Sequence, residues 1–143
     1  MRHGESEWNK DNRFCGWVDV PLSYLGCEEA RSAAKAVQIA GYYRFDIIYT
    51  SLLTRSIETA NIIIDQLNKN IDNNTTNSAE LKCVKDWRLN ERHYGGLTGF
   101  NKAEMAEIHG LGRVMEWRRS YDVPLPPLTK DNPFYDQISK LLQ

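Results

Sequence analysis

Several features that would settle a class at once are scarce or absent. There are three cysteines, Cys15, Cys27 and Cys83. None shows C-x-x-C spacing or a zinc pattern, and an odd number forbids complete internal pairing. Reduced thiols of a cytosolic protein are the expectation. No apolar run approaches the ~18 residues of a membrane span. Residues 2–12 are polar and charged, which does not read as a secretory leader. Net charge is −1, too small for bulk attraction to nucleic acid. No H-E-x-x-H, P-loop or EF-hand pattern is found, and no internal repeat, so no metal is expected. The glycosylation triplets at Asn73 and Asn74 read as a polar loop.

What is present fits one ordinary domain. The chain has 143 residues, 41% hydrophobic and 26% charged, values usual for a soluble globular protein.

The opening Arg2-His3-Gly4 has the makings of a nucleophile for phosphate. Arginine neutralises an anion and offers a planar fork of donors. A neutral imidazole can attack phosphorus at about pH 7. Glycine lets a ligand approach the backbone. Alone, the tripeptide is common and equally suits a solvated arm.

Periodicity sketches the rest. Residues 9–21 lack any repeat and read as a loop, with Arg13 as a surface charge and Trp8 and Trp17 as packing residues. Ser23 reads as an N-cap. The helix after it has an apolar face of Leu25, Ala30, Ala33, Ala34, Val37 and Ile39, and Gly41 as its stop. Residues 45–50 suit a strand buried on both faces of a parallel sheet. Ser51 reads as the cap of a second helix striped by Leu53, Ile57, Ala60, Ile64 and Leu67. Arg55 falls in its first turn, against the helix dipole, which asks for either an anion or solvent. Residues 68–80 form a polar loop and 81–84 a second strand.

Glu91 and Arg92 would point opposite ways on an extended segment, or form half of a salt bridge. Gly95, Gly96 and Gly99 supply turn chemistry. Asn101 with Glu104 approximates a capping box for a short helix ending at His109-Gly110, with Lys102 in its first turn. A further helix, 112–120, carries Arg118 and Arg119, ordinarily a solvated face. Pro124, Pro126 and Pro127 end regular structure. Residues 131–143 look like a lid or linker cut short.

Taken in order, four blocks carry a resemblance. They are Arg2-His3-Gly4-Glu5 with Asn9, Asn12-Arg13-Phe14, the run from Trp87-Arg88-Leu89-Asn90-Glu91-Arg92-His93-Tyr94 to Gly99, and Trp117-Arg118-Arg119-Ser120-Tyr121. The chain resembles the 2,3-bisphosphoglycerate-dependent phosphoglycerate mutases of the histidine phosphatase superfamily, from Arg2 to about Lys140. The resemblance implies an α/β fold, an open mostly parallel sheet flanked by helices. It also implies an incomplete one: a partial domain over residues 1–143, truncated at both ends. Family members carry an apolar strand before Arg-His-Gly and a second His-Gly block further on.

By the same resemblance the chain is a glycolytic, cytoplasmic isomerase, an intramolecular phosphotransferase interconverting 3-phosphoglycerate and 2-phosphoglycerate. His3 becomes a phosphohistidine, 2,3-bisphosphoglycerate is the phosphoryl-donor primer, and no metal takes part. Glu91 shuttles the proton, acting as an acid only with substrate bound. Substrate contacts fall on Arg2, Asn9, Cys15, Gly16, Arg55, Glu91, Arg92, His93, Tyr94, Lys102, Arg118 and Arg119. Partners are small phosphorylated three-carbon acids, not nucleic acid or membrane, and a homo-oligomer is left open. Two alternatives stand beside this: a catalytically incompetent fragment, and bisphosphoglycerate mutase or phosphatase activity. Ser6, Gly16, Gly96 and Thr98 look like the glycolytic enzyme, Cys15 like its bisphosphoglycerate-making sister.

Overall fold

The computed structural model describes residues 1–42, 45–69 and 82–141. The chain divides into two compact units, residues 1–7 with 20–90 and residues 8–19 with 91–143. In chain order the elements are α1 (Glu7–Lys10), α2 (Tyr24–Ile39), β1 (Ile47–Thr50), α3 (Thr54–Lys69), β2 (Lys82–Lys85), α4 (Lys102–His109), α5 (Leu111–Arg119) and α6 (Tyr135–Leu141). Two 3₁₀ turns, Trp87–Leu89 and Gly95–Leu97, separate β2 from α4.

In the first unit α2 packs on α3, and α3 lies against β1 of a parallel β1–β2 pair. The register runs from Ile47 opposite Lys82 to Thr50 opposite Lys85. Ser23 caps α2 as expected, its hydroxyl accepting the Gly26 N–H at 3.1 Å. Gly41, at φ +85, follows the C-cap. Small residues let the helices approach: Ala34 is fully buried against Ile63 and Leu67, with Ala33 and Val37 alongside.

Four expectations shift in this unit. Leu25 and Ile39 do not join the apolar face and are exposed. Ser51 accepts the Leu53 N–H at 3.3 Å, and α3 begins later, at Thr54. Its buried face is Arg55, Thr59, Ala60, Ile63 and Leu67, so Ile63 takes the place expected of Ile64. Finally, β1 is not buried on both faces. Only Thr50 is buried and Tyr49 is exposed, because the sheet has two strands among the described residues. The expected loop and the first residue of the second strand, Leu81, fall largely outside the described residues.

The second unit has little regular structure but a tight core. Phe14, Leu97, Met105, Val114 and Trp117 are buried together, with Tyr94, Val123 and Leu125 packed on them. Asn101 caps α4, accepting N–H groups of Ala103 at 2.8 Å and Glu104 at 3.4 Å. Gly110, at φ +84, ends that helix and opens α5. The closing segment is packed rather than lid-like. Asn132 donates to the carbonyls of Gly96 and Thr98, Ile138 is fully buried, and the Phe134 ring meets Trp8 edge-on at 4.8 Å. Arg13 is likewise half-buried and held by its neighbours instead of lying free on the surface. Its Nε donates to the Gly99 carbonyl at 2.7 Å and its guanidinium lies 4.1 Å from the Trp8 ring centre.

Candidate functional site

In the first unit the Arg-His-Gly segment is pinned from two sides. Gly4 N–H donates to the Thr59 hydroxyl at 3.2 Å, and that hydroxyl donates to the Arg55 carbonyl at 2.7 Å. Glu5 is held by α2: its N–H donates to the Glu29 carboxylate, and its own carboxylate and carbonyl accept from Ser23 at 2.7 and 2.8 Å. Gly4 needs to be glycine for a structural reason. A Cβ there would lie 2.2 Å from the Gly26 carbonyl oxygen, and one on Gly26 would lie 2.0 Å from that of Glu5. The backbone that comes close is helix α2.

This frame aims the His3 ring. Its Nδ1 lies 2.6 Å from the Gly4 carbonyl oxygen. A carbonyl can only accept, so Nδ1 carries a proton, and in the neutral ring the lone pair is then on Nε2. The ring is half-buried, and Arg2 beside it is exposed. Arg55 is fully buried, so of the two readings left open by its position, solvent exposure is the one excluded. A cavity of about 460 Å³ opens here, lined by the polar Arg2, His3, Thr50, Ser56 and Thr59 and by the apolar Phe45, Ile48 and Ile63, among others.

The second unit gathers the other candidates around residues 91–95. Trp17 donates its indole N–H to the Glu91 carbonyl at 2.7 Å. Gly16, at φ +56, brings its backbone against Arg92 and Tyr94. Tyr94 packs on Phe14 with ring centres 5.1 Å apart. Burial, helped by the Glu91 charge, pushes its phenol pKa up, while Arg118, Arg92 and Arg119 pull it down. The candidate anion and its candidate cations thus act on one ring. His93 accepts the Gly95 N–H on Nδ1 at 2.8 Å, and burial lowers its pKa.

The remaining candidates are placed as follows. Cys15 is buried, with its thiol 3.5 Å from the Val18 carbonyl. Asn9 is half-buried, and its carbonyl accepts from Asn12. The Lys102 ammonium lies 5.9 Å from the Phe14 ring centre. Arg118 is half-buried on α5, and Arg119 is exposed. No cluster of His, Cys, Asp and Glu able to hold a metal ion occurs among the described residues.

The profile of the histidine phosphatase superfamily (branch 1) matches residues 1–143, the whole of this chain. The chain belongs to that superfamily. It is 51% identical over 133 residues to a 2,3-bisphosphoglycerate-dependent phosphoglycerate mutase of Zymomonas mobilis subsp. mobilis (strain ATCC 31821 / ZM4 / CP4), covering 93% of this chain and 54% of that protein. The chain therefore spans about half the length of this curated relative. Among solved structures, a mycobacterial glucosyl-3-phosphoglycerate phosphatase complexed with VO3 is similar at 27% identity and TM-score 0.68, over 87% of this chain and 52% of that one. A phosphoserine phosphatase of Entamoeba histolytica in complex with 3-phosphoglyceric acid is similar at 27% identity and TM-score 0.54, over 73% and 44%.

Within this histidine phosphatase chain, sequence reasoning passed over Gly26, Thr59 and the bonding role of Trp17. Gly26 alone left a signal: a glycine early in a helix costs stability relative to alanine, so some close approach should justify it.

Proposed function

We propose that the chain carries the chemistry of a 2,3-bisphosphoglycerate-dependent phosphoglycerate mutase, interconverting 3-phosphoglycerate and 2-phosphoglycerate. The observation that supports the reading is the pose of His3, whose Nδ1 lies on the Gly4 carbonyl; the reading assigns the nucleophile's role to Nε2. The 51% identity to a mutase supports it.

In this reading the Nε2 lone pair attacks a phosphorus of 2,3-bisphosphoglycerate. An N–P bond forms, an ester P–O bond breaks, and the freed oxygen takes a proton from Glu91. The backbone acceptor on Nδ1 stabilises the cationic ring as the bond forms. In the second half the acceptor hydroxyl gives its proton to Glu91 and takes the phosphoryl group from His3, closing the balance. Arg2 and Arg55 neutralise the transferring group. Arg92, Tyr94, Arg118 and Arg119, with Lys102, Asn9, Gly16 and Cys15, make up the remaining substrate contacts; His93, expected among them, has Nδ1 on the Gly95 N–H and Nε2 buried. Phosphoryl transfer asks mainly for such positioning and charge neutralisation. The setting is cytoplasmic glycolysis, with a homo-oligomer left open.

A coupled mutase assay on the 143-residue chain tests the reading, alongside single-turnover labelling from 2,3-bisphosphoglycerate. Turnover with label on His3 is expected. A Glu91→Gln variant that keeps full turnover would refute the proton shuttle. Two specific observations favour competing readings. Two of the solved neighbours are phosphatases, and label lost to water rather than to an acceptor hydroxyl would select that activity. The chain covers 54% of its mutase relative, and folding without turnover would select a catalytically incompetent fragment.

A further inference from the structure

Three contacts in the second unit tie residues 14–17 to the segment that carries Glu91. The Trp17 indole N–H donates to the Glu91 carbonyl at 2.7 Å. Gly16, at φ +56, sits so close that a Cβ would be 3.2 Å from both the Arg92 oxygen and the Tyr94 nitrogen. The Phe14 ring, fully buried, meets Tyr94 at 5.1 Å. A fourth tie closes the far end, where His93 Nδ1 accepts the Gly95 N–H at 2.8 Å and the imidazole meets Trp17 edge-on at 5.9 Å.

The fourth tie also fixes the tautomer. A backbone N–H can only donate, so Nδ1 of His93 is bare and the proton sits on Nε2. That Nε2 is buried and finds no hydrogen-bond partner among the described residues. The nitrogen engaged by the protein is thus the one facing the backbone. The Trp17 bond holds the Glu91 end to residues 14–17, and the His93–Gly95 bond closes the other end as a turn within the segment, whose residues 91–94 have no regular structure. Such grips matter where a proton must pass, since a misplacement of about 1 Å can cost roughly a hundredfold in rate.

We infer that Trp17 and His93 are positioning residues for Glu91, setting its pose through the two ends of the 91–95 segment rather than by contact with substrate. The inference rests on the reading of Glu91 as the proton shuttle.

Three variants test it on the 143-residue chain, each checked by circular dichroism for retained fold. Trp17→Phe keeps a ring and removes the N–H. His93→Asn places an amide oxygen near the position of Nδ1, and His93→Gln places its amide near Nε2. Losing one such bond should lower kcat about tenfold in Trp17→Phe and His93→Gln, with KM changed less than about twofold. His93→Asn should stay within about twofold of the parent, because the acceptor for Gly95 is restored. The reverse order of the two His93 variants, equal losses, no loss, or an effect confined to KM would overturn the inference.

A readout without turnover accompanies these. Nitrogen NMR of the His93 ring at about pH 7.5, above the ordinary imidazole range, should show protonated Nε2 and bare Nδ1. The Gly95 amide shift should return toward the parent value in His93→Asn and not in His93→Gln. A protonated Nδ1 overturns the inference. A Glu91→Gln variant with full turnover beside an intact Nε2–H tautomer would instead sink the reading of Glu91 and leave the two grips standing.

Discussion

The two units reach order by opposite means. The first is built from regular elements, α2, α3 and a short parallel sheet, yet it leaves Tyr49 exposed on β1 and a cavity of about 460 Å³ beside His3. The second is mostly loop, yet its loops bond each other. Phe14 N–H donates to Phe100, Gly99 N–H to Phe14, Lys102 N–H to Asn12 and Gly96 N–H to Pro126, all at 2.7–2.9 Å. Regularity therefore does not measure how firmly a side chain is placed. A loop whose backbone groups are all satisfied by other loops can hold a reactive residue as firmly as a helix can.

The sharpest way to break this contrast is to remove a core ring from the loop-built unit. Trp117 is 7% exposed within a five-residue cluster, and Trp117→Ala should cost about 3–5 kcal/mol in denaturant unfolding. Ile63→Val, in the helical pair, should cost about 0.5–1.5 kcal/mol, because it removes one methylene from a smaller core. Equal costs in these two variants would contradict a cost set by the volume removed from each unit's core.

Next comes the contact that aims His3. Gly26→Ala puts a methyl where the Glu5 carbonyl oxygen lies. Either α2 or the 3–5 segment must move, and His3 labelling should fall by at least about tenfold, taking the loss of a single positioning contact as the lower bound. Unchanged labelling with helicity retained would show that α2 does not set the pose of the ring. Smaller again are the caps. Ser23→Ala and Asn101→Ala should each cost about 1 kcal/mol in thermal unfolding, one in each unit.

The pH effects are the most modest. Burial lowers the His93 pKa, so the unfolded imidazole takes up a proton that the folded one resists. Acidification through the ordinary value of 6.5 should draw the protein toward unfolding, and His93→Asn should flatten that slope. Asp86 behaves in the opposite sense. Hydrogen bonds from Arg88 lower it from 3.8 to about 2. Its contribution is present above 3.8 and is lost as the pH falls toward 2. Arg88 is exposed and Asp86 partly so, so the change seen on Asp86→Asn should be slight.

Much of this was legible in the chain. Ser23, Gly41, Asn101 and Gly110 announced helix ends because caps act through local geometry. The four motif blocks announced the superfamily. The buried face of α3 was legible only approximately: Arg55 and Thr59 are polar, and a hydrophobic period cannot place them inside. They sit there because Thr59 links the Arg55 and Gly4 backbones. Residues 131–141 were misjudged for a related reason. The Asn132 bonds to Gly96 and Thr98 bridge more than thirty positions, and no local pattern encodes them. Trp17 looked like simple packing because an indole N–H shows its partner only in three dimensions.

Phosphorus NMR of the purified chain after exposure to 2,3-bisphosphoglycerate, with His3→Ala as the control, bears most directly on the central claim. A phosphohistidine signal on Nε2, absent in the control, is the expected result. No signal from a folded chain, a phosphoryl group on Nδ1, or a signal that survives in His3→Ala would contradict it.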